Sequence, residues 1–148
     1  MRTVGSFRRV LVGFDGSPDA AEALGVANAM AAGDGGHVVA LCVVPSAMHA
    51  ENHDEDGSSG LRQQAEVLID ELTRCQRPGK SVRMSIQVVH ADRDSAAQVV
   101  IDYAEQHGFD ILVLGRHGDG AHRKSRLGRV ADRAAQGCSV PVLLLSAR

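Results

Sequence analysis

Short apolar runs alternate along this chain with longer segments in which apolar residues recur every three or four positions. The short runs are rich in Val, Leu and Ile and are bounded by Gly, Pro or Asp, which is typical of strands buried on both faces. Five such runs occur, at residues 9–14, 37–44, 82–89, 111–114 and 140–145. The longer segments each carry one apolar helical face. The resulting order, β-α-β-α-β-α-β-α-β, predicts an α/β fold with a five-stranded parallel sheet and helices on both faces.

Two of the predicted helices have recognisable start signals. Ser17 followed by Pro18 predicts the start of the first helix, with the serine hydroxyl as N-cap and proline at the first helical position. Either Asp92 or Asp94 is expected to cap the third helix, because a carboxylate accepts hydrogen bonds from the N–H groups of a first turn.

The segment between the second strand and the second helix differs from the rest of the chain. Residues 46–60 are polar and show no periodicity, so they are predicted to form a mobile surface loop. Helical spacing resumes at Leu61 and continues to Cys75. Alternation of apolar and polar residues in the next run, residues 82–89, predicts a strand with one exposed face at an edge of the sheet.

Composition narrows the classes of function. The chain has 148 residues, of which 44% are apolar, and is expected to form one domain over residues 1–148. A net charge of −2 and few aromatic residues (no Trp, one Tyr, three Phe) argue against a nucleic-acid partner. No apolar stretch approaches the roughly 20 residues that span a bilayer, so no membrane partner is expected. Three scattered cysteines, Cys42, Cys75 and Cys138, favour a reducing, cytoplasmic location.

The stretch after the fourth strand carries the clearest candidate chemistry. Gly115, Gly118 and Gly128 are separated by two and by nine residues, and a helical pattern follows the last of them. Glycine lets the backbone approach a ligand closely, and a helix N-terminus directs N–H groups at an anion, so this stretch predicts a phosphate site. The intervening loop is basic and contains Arg116, His117, His122, Arg123, Lys124 and Arg126. It is expected to be either an anion clamp or a solvated face.

A second loop is expected to face the glycine stretch. Asp15 lies in an Asp-Gly-Ser turn directly after the first strand. In open parallel sheets, ligands bind outside the carboxyl ends of the strands, where the strand order reverses. If the first and fourth strands are neighbours, the two loops line one crevice. Asp15 is then either a ligand contact or a residue that shapes the turn.

Other phosphate motifs and catalytic constellations do not match. Lys124 and Ser125 follow Arg123, where a P-loop requires glycine. The glycines follow the fourth strand, whereas the dinucleotide fingerprint follows the first. No Ser/His/Asp or Cys/His set can be assembled, and no base or water-positioning group is visible. Any hydrolysis of a bound phosphate ligand is therefore expected to be slow.

Taken together, these motifs resemble the universal stress protein family. The resemblance covers nearly the whole chain and includes the Asp-Gly-Ser turn at Asp15, the Gly-x₂-Gly-x₉-Gly spacing, Asp110 before the fourth strand, and the Cys138 to Pro141 segment. It implies an adenine nucleotide alpha hydrolase-like sheet with strand order 3-2-1-4-5. It also implies a homodimer formed through the last strand, which runs from Val140 to Leu145. The subgroup with this glycine pattern binds ATP, with a Mg²⁺ or Mn²⁺ ion beside the triphosphate.

The resemblance also implies which residues contact the nucleotide. Asp15 and the backbone near Val44 are expected at the adenine and ribose, and the glycines are expected to wrap the phosphates. The start of the last helix would meet the phosphates from its N-terminus. The predicted nucleotide-binding residues are Asp15, Val44, Gly115, Arg116, Gly118, Gly128, Arg129 and Val130.

One of these positions departs from the family pattern. The family has Ser or Thr after the last glycine, and this chain has Arg129, with Ala131 where a serine is common. A guanidinium is a good phosphate partner because it carries forked donors and a permanent charge. It could equally fill the space that the phosphates need, or lie on the solvated face of the helix.

The leading hypothesis is thus a cytoplasmic, ATP-binding stress-response regulator that acts as a homodimer with an unknown protein partner. The alternative is a dimeric interaction module that binds no nucleotide and recruits partners through residues 46–60. A third hypothesis is an ATP-dependent enzyme of the pyrophosphatase or adenylating type. That class resembles Ser-Gly-Gly-x-Asp-Ser after the first strand, which this chain lacks.

Overall fold

A computed structural model describes residues 7–32, 35–45, 58–76, 81–117 and 127–147. Within these ranges five strands alternate with four helices, in the order β1 Arg9–Gly13, α1 Pro18–Ala31, β2 His37–Pro45, α2 Ser58–Arg74, β3 Arg83–Ala91, α3 Ala96–Gln106, β4 Ile111–Gly115, α4 Arg129–Gly137 and β5 Val142–Leu145. All strand pairs are parallel, and the order across the sheet is β3-β2-β1-β4-β5. The predicted fold class and strand order are confirmed.

The two faces of the sheet bury separate apolar clusters. One face packs against α1 and α2, and its cluster includes Val12 and Leu24. The other packs against α3 and α4, and its cluster includes Leu11 and Phe109. Burial of β1 and β4 on both faces explains why their sequences are continuous apolar runs without alternation. No helix in the described ranges is long and apolar enough to cross a membrane.

The start of α1 agrees with its sequence signals, whereas the start of α3 does not. Ser17 is the N-cap of α1, and its Oγ accepts a hydrogen bond from the backbone N–H of Ala20 at 3.1 Å. The prediction that Asp92 or Asp94 caps α3 is wrong. A single 3₁₀ turn, Arg93–Ser95, precedes that helix, and Ser95 takes the N-cap position. The tighter turn moves the cap beyond both carboxylates.

Helix α2 begins at Ser58, three residues before Leu61, where helical spacing becomes visible in the sequence. The last part of the segment predicted as a loop is therefore helical. The first turn of α2 does not show in the spacing of apolar residues because it contains none, and its Gly60 is exposed. The remainder of the predicted loop, residues 46–57, lies outside the described residues.

The two edge strands differ in character. Strand β3 shows the predicted alternation, with Arg83, Ser85 and Gln87 exposed and the side chains between them partly buried, and it lies at an edge of the sheet. Strand β5 forms the opposite edge with four consecutive apolar residues, Val142–Leu145, all partly exposed. The edge at β3 is therefore blunted by polar side chains, whereas the edge at β5 is apolar.

Candidate functional site

The turn after β1 and the glycine stretch after β4 begin side by side at the carboxyl edge of the sheet. Strands β1 and β4 are neighbours, with Val12 opposite Val113. Strand order reverses at this pair, since β2 and β3 follow on one side and β5 on the other. The crevice expected between the two loops therefore starts at the switch point of the sheet.

Asp15 shapes the turn that leaves β1. Its Oδ1 accepts a hydrogen bond from the backbone N–H of Ser17 at 2.9 Å, and the residue is exposed at the carboxyl edge. Gly16 follows with φ of 82°, and a Cβ at Gly16 would lie 2.6 Å from Oε1 of Gln64 on α2. Asp15 thus acts as a turn residue, which agrees with one of the two expectations for it. Its contact with a ligand stays a prediction.

Val44 lies near the carboxyl end of β2, which runs further than β1. It is opposite His90 of β3, and its side chain is buried. The backbone of β2 near Val44 is therefore positioned at the same edge of the sheet as Asp15.

Gly115 ends β4 against the first turn of α1. A Cβ atom at this position would lie 2.6 Å from the Cβ of Asp19, 2.9 Å from its carbonyl carbon and 3.0 Å from the backbone N of Ala20. Two of these three atoms are backbone and cannot rotate away. Close packing of β4 on α1 thus suffices to require glycine here, independently of any phosphate.

Arg116 holds the two ends of the glycine loop together through its backbone. Its N–H donates to the carbonyl of Leu145 at 2.7 Å and so extends the pairing of β4 with β5. Its carbonyl accepts the N–H of Gly128 at 2.6 Å. The loop therefore leaves and re-enters the fold at one point. Gly118 and the cations of residues 122–126 lie outside the described residues.

Gly128 is the N-cap of α4, so the helix starts where the predicted motif ends. Arg129 and Val130 form the first turn, in which backbone N–H groups have no acceptor within the helix. These groups lie next to the point where the loop closes on Arg116. This is the arrangement in which a helix N-terminus binds an anion.

The side chain of Arg129 lies on the surface. Its Nη1 is 3.3 Å from Oδ1 of Asp94, and the two side chains are 68% and 96% exposed. Of the three environments considered from the sequence, the structure corresponds to the solvated face of the helix. Whether this guanidinium contacts a nucleotide stays a prediction.

Asp19, which is not among the predicted site residues, is a buried carboxylate at the carboxyl edge. It is 5% exposed. Its Oδ1 accepts the N–H of Ala147 at 2.7 Å, and its Oδ2 accepts the backbone N–H and the ring Nδ1–H of His117 at 3.1 and 3.0 Å. Burial raises the pKa of the Asp19 carboxyl, but these hydrogen bonds outweigh it and hold the pKa below the ordinary value of 3.8.

His117 completes this group. Its side chain is 16% exposed, and its Nε2 is buried with no hydrogen-bond partner among the described residues. An Asp–His pair resembles the base of a catalytic triad. As for metals, the described ranges contain no cluster of three His, Cys, Asp or Glu side chains that could hold an ion. The sequence offered one signal for Asp19, an acidic residue in the first turn of a helix, and that signal is too common to be informative.

A cleft of about 550 Å³ opens between the turn after β1 and helix α2. It is lined by Phe14, Gly16, Gly60, Gln63, Gln64, Val67 and Leu68. The cleft lies on the α2 side of Asp15 and does not include Gly115 or Gly128. Of the elements of the predicted site, the cleft therefore contacts the turn after β1 and not the start of α4.

Comparison with known proteins identifies relatives of this fold. The model of the universal stress protein family matches residues 6–146. The universal stress protein UspA from Lactobacillus plantarum superposes with a TM-score of 0.66 at 23% identity, over 95% of this chain and 99% of its own. A universal stress protein in complex with cAMP superposes at 0.70 and 16% identity, over 97% and 100%. A universal stress family protein from Arabidopsis thaliana with AMP bound gives 0.61 at 14% identity, over 95% and 92%. No curated protein matches the chain.

Proposed function

The chain belongs to the universal stress protein family, and from this premise we propose that it is an ATP-binding stress-response regulator. The nucleotide would lie at the carboxyl edge of the sheet, between the turn at Asp15 and the glycine loop. The observation that carries the proposal is the closure of that loop at the N-terminus of α4, through the hydrogen bond from Gly128 to Arg116. We place the protein in the cytoplasm, because its three cysteines are unpaired.

The described residues fit an adenine nucleotide. The first-turn N–H groups of Arg129 and Val130 supply donors for phosphate oxygens. The exposed carboxylate of Asp15 is an acceptor suited to ribose hydroxyls, and the backbone near Val44 reaches the same edge. Two relatives with this fold hold cAMP and AMP. Their ligands support the adenine nucleotide class, and the glycine spacing supports a longer phosphate chain.

The buried carboxylate of Asp19 leaves little for a metal ion to bind directly. Both oxygens of Asp19 already accept N–H groups. A Mg²⁺ ion would therefore be held mainly by the phosphates of the nucleotide and by water, which is a common mode for this ion. For the same reason Asp19 is not positioned to act as a general base, so we assign binding rather than rapid hydrolysis to the site.

We infer that Arg129 takes the place of the missing hydroxyl. Its pairing with Asp94 is a solvent-exposed ion pair, and such pairs contribute about 0–1 kcal/mol. A phosphate carries more charge and accepts a forked pair of N–H bonds, each charge-assisted and worth about 1.5–3 kcal/mol. The guanidinium would therefore exchange Asp94 for a phosphate when nucleotide binds.

The first experiment is calorimetry with ATP and with AMP, each with and without Mg²⁺. Binding of ATP in the micromolar range is expected, with weaker binding of AMP because fewer phosphate oxygens reach the α4 N-terminus. Heats indistinguishable from dilution at millimolar nucleotide would reject the proposal. They would favour the alternative, a dimeric interaction module that binds no nucleotide.

The role of Arg129 is tested with a matched pair of variants. Arg133 lies one turn later on α4 and donates to Oε1 of Gln98 at 3.0 Å, so it resembles Arg129 in charge and setting but is further from the helix start. Arg129→Ser should lower ATP affinity about tenfold, whereas Arg133→Ser should leave it unchanged. Stronger binding by Arg129→Ser would show instead that the guanidinium obstructs the phosphates.

We further propose that the protein forms a homodimer through β5. The support is the contrast between the apolar edge at Val142–Leu145 and the polar edge at β3. A groove of about 380 Å³ runs beside β5 and is lined by Cys138, Val140, Leu144 and neighbouring residues. Leu144→Lys should shift the molar mass measured by light scattering from dimer to monomer. Gln87→Lys, on the opposite edge, should not. Equal masses for all three proteins would reject this interface.

A further inference from the structure

One buried carboxylate joins the start of the glycine loop to the end of the edge strand. Asp19 accepts His117, which follows β4, at one oxygen and Ala147, which follows β5, at the other. The two segments lie 98 and 128 residues away from Asp19 along the chain. Because each oxygen serves a different segment, the position of the side chain depends on both segments at once.

A second path links the same two regions through the backbone. Arg116 donates to Leu145, and Gly128 donates to Arg116. Arg116, at the start of the glycine loop, is thus hydrogen-bonded to the end of β5. Gly128, at the end of the loop, is hydrogen-bonded to Arg116. The residues that flank the loop, Arg116 and Gly128, are therefore joined to the end of β5 by hydrogen bonds in addition to those of Asp19.

The imidazole of His117 makes this group sensitive to small changes. Its Nδ1–H is fixed on Asp19, while its Nε2 is buried without a partner among the described residues. A buried polar atom without a partner is destabilising, so the ring is held in place by the Asp19 contact against that penalty. Because both N–H groups of His117 are held by Asp19, a movement of that carboxylate moves the acceptor of His117 as well.

We propose that Asp19 is a positioning residue that couples ligand binding at the start of α4 to the position of the segment that ends β5. This coupling rests on the proposed nucleotide function. It adds to that function a route from the nucleotide to the edge strand. Coupling of binding equilibria is reciprocal. Nucleotide should stabilise residues 145–147, and the attachment of those residues should raise nucleotide affinity.

The test is a double-mutant cycle on two partners of one hydrogen bond. Ala147→Pro removes the N–H that Asp19 accepts, and Ala147→Gly keeps it and serves as the control. Asp19→Ala removes both acceptor oxygens. In the wild type, Ala147→Pro should weaken ATP binding about fivefold, and in the Asp19→Ala background it should have no further effect. Ala147→Gly should have no effect in either.

A second measurement does not depend on nucleotide. Amide exchange at His117, followed by NMR without ligand, should become about threefold faster in Ala147→Pro than in Ala147→Gly, because among the described residues the hydrogen bonds of His117 and Ala147 meet at Asp19. Glu105→Gln is a matched carboxylate control, since Glu105 accepts the N–H and hydroxyl of Ser139 before β5. That variant should leave His117 unchanged.

The outcomes separate the two proposals. If the wild type binds no ATP but exchange at His117 responds to Ala147→Pro, the link between the two segments through Asp19 holds and the nucleotide function fails. If ATP binds and Ala147→Pro weakens it equally in the wild type and in the Asp19→Ala background, the coupling through Asp19 is overturned. Unchanged exchange at His117 in Ala147→Pro also overturns it, whatever the affinity for ATP.

Discussion

The amino edge of the sheet, where the strands begin, and the carboxyl edge, where they end, each contain a carboxylate that accepts backbone N–H groups from distant segments. At the amino edge, Oδ2 of Asp110 accepts the N–H groups of Arg8 and Arg9 at 3.0 and 2.9 Å and so joins the start of β4 to the start of β1. At the carboxyl edge, Asp19 accepts three N–H groups from His117 and Ala147. Each carboxylate thus ties together segments that are far apart in sequence, but Asp110 is partly exposed and Asp19 is buried.

The two edges also differ in the charges that surround their histidines. His37 at the amino edge lies near Arg83 and Arg9, and burial together with these cations lowers its pKa. His117 at the carboxyl edge lies against the carboxylate of Asp19. At the amino edge, water can therefore replace a lost hydrogen-bond partner in part. At the carboxyl edge, which is buried and lies next to a candidate ligand site, the loss of one hydrogen-bond partner leaves other polar groups unsatisfied.

Removing each carboxylate should produce the largest difference between the edges. Asp19→Ala leaves buried donors without an acceptor and should lower the free energy of unfolding by about 3 kcal/mol. Asp110→Ala should lower it by about 1 kcal/mol, because water reaches the freed N–H groups. Urea denaturation of both variants measures this. Equal losses would show that burial does not distinguish the two junctions.

Gly115 gives the next largest effect at the carboxyl edge. A methyl group there meets backbone atoms of Asp19 and Ala20 at 2.9 and 3.0 Å, so Gly115→Ala should destabilise the fold by about 2 kcal/mol. Gly25, in the interior of α1, has no atom within 4 Å of an added Cβ. Gly25→Ala should therefore stabilise by about 0.5–1 kcal/mol. Denaturant midpoints test the pair, and a neutral Gly115→Ala would contradict the close packing of β4 on α1.

Much of this architecture is accessible from the sequence because it rests on local signals. Buried strands, an amphipathic helix such as α1 and the Ser17 cap are each encoded within a few neighbouring residues. The strand order follows from resemblance to a known family, since periodicity alone does not rank the strands. The turn at Asp15 and the helix start at Gly128 were also predictable, because glycine and turn residues mark them.

The parts that sequence did not reveal depend on distant contacts. The role of Asp19 arises from partners 98 and 128 residues away, and nothing in its own neighbourhood indicates them. The pairing of Arg129 with Asp94 likewise depends on α4 lying beside the turn before α3. The glycine at position 115 was attributed to phosphate, but packing on α1 already requires it. Motif and packing can therefore specify the same residue for independent reasons.

The pH dependence of stability should distinguish the buried carboxylate. Because the folded pKa of Asp19 lies below 3.8, its contribution is complete above that value and is lost as the pH falls through the folded pKa. Asp19→Asn should thus be destabilised by about 2 kcal/mol at pH 7 and at pH 5. The difference from wild type should shrink below pH 3.8. A difference that stays constant down to about pH 2 would mean that the charge of Asp19 contributes nothing.

The smallest expected effect lies at the amino edge and involves a group that gains charge as the pH falls. The folded pKa of His37 lies below its ordinary value of 6.5, chiefly because the ring is partly buried and also because Arg83 and Arg9 repel its charged form. The unfolded chain therefore binds more protons just below pH 6.5, and stability falls as the pH drops through that window.

His37→Gln should remove this pH-dependent loss of stability, which amounts to about 0.3 kcal/mol when solvent screening is allowed for. Ser85→Ala, which removes the hydroxyl 2.8 Å from Nε2 of His37 but keeps the cations, should retain the pH dependence. Thermal melts between about pH 5 and pH 7 measure both variants. A larger pH response from His37 than from Asp19 would reverse the ranking of the two edges.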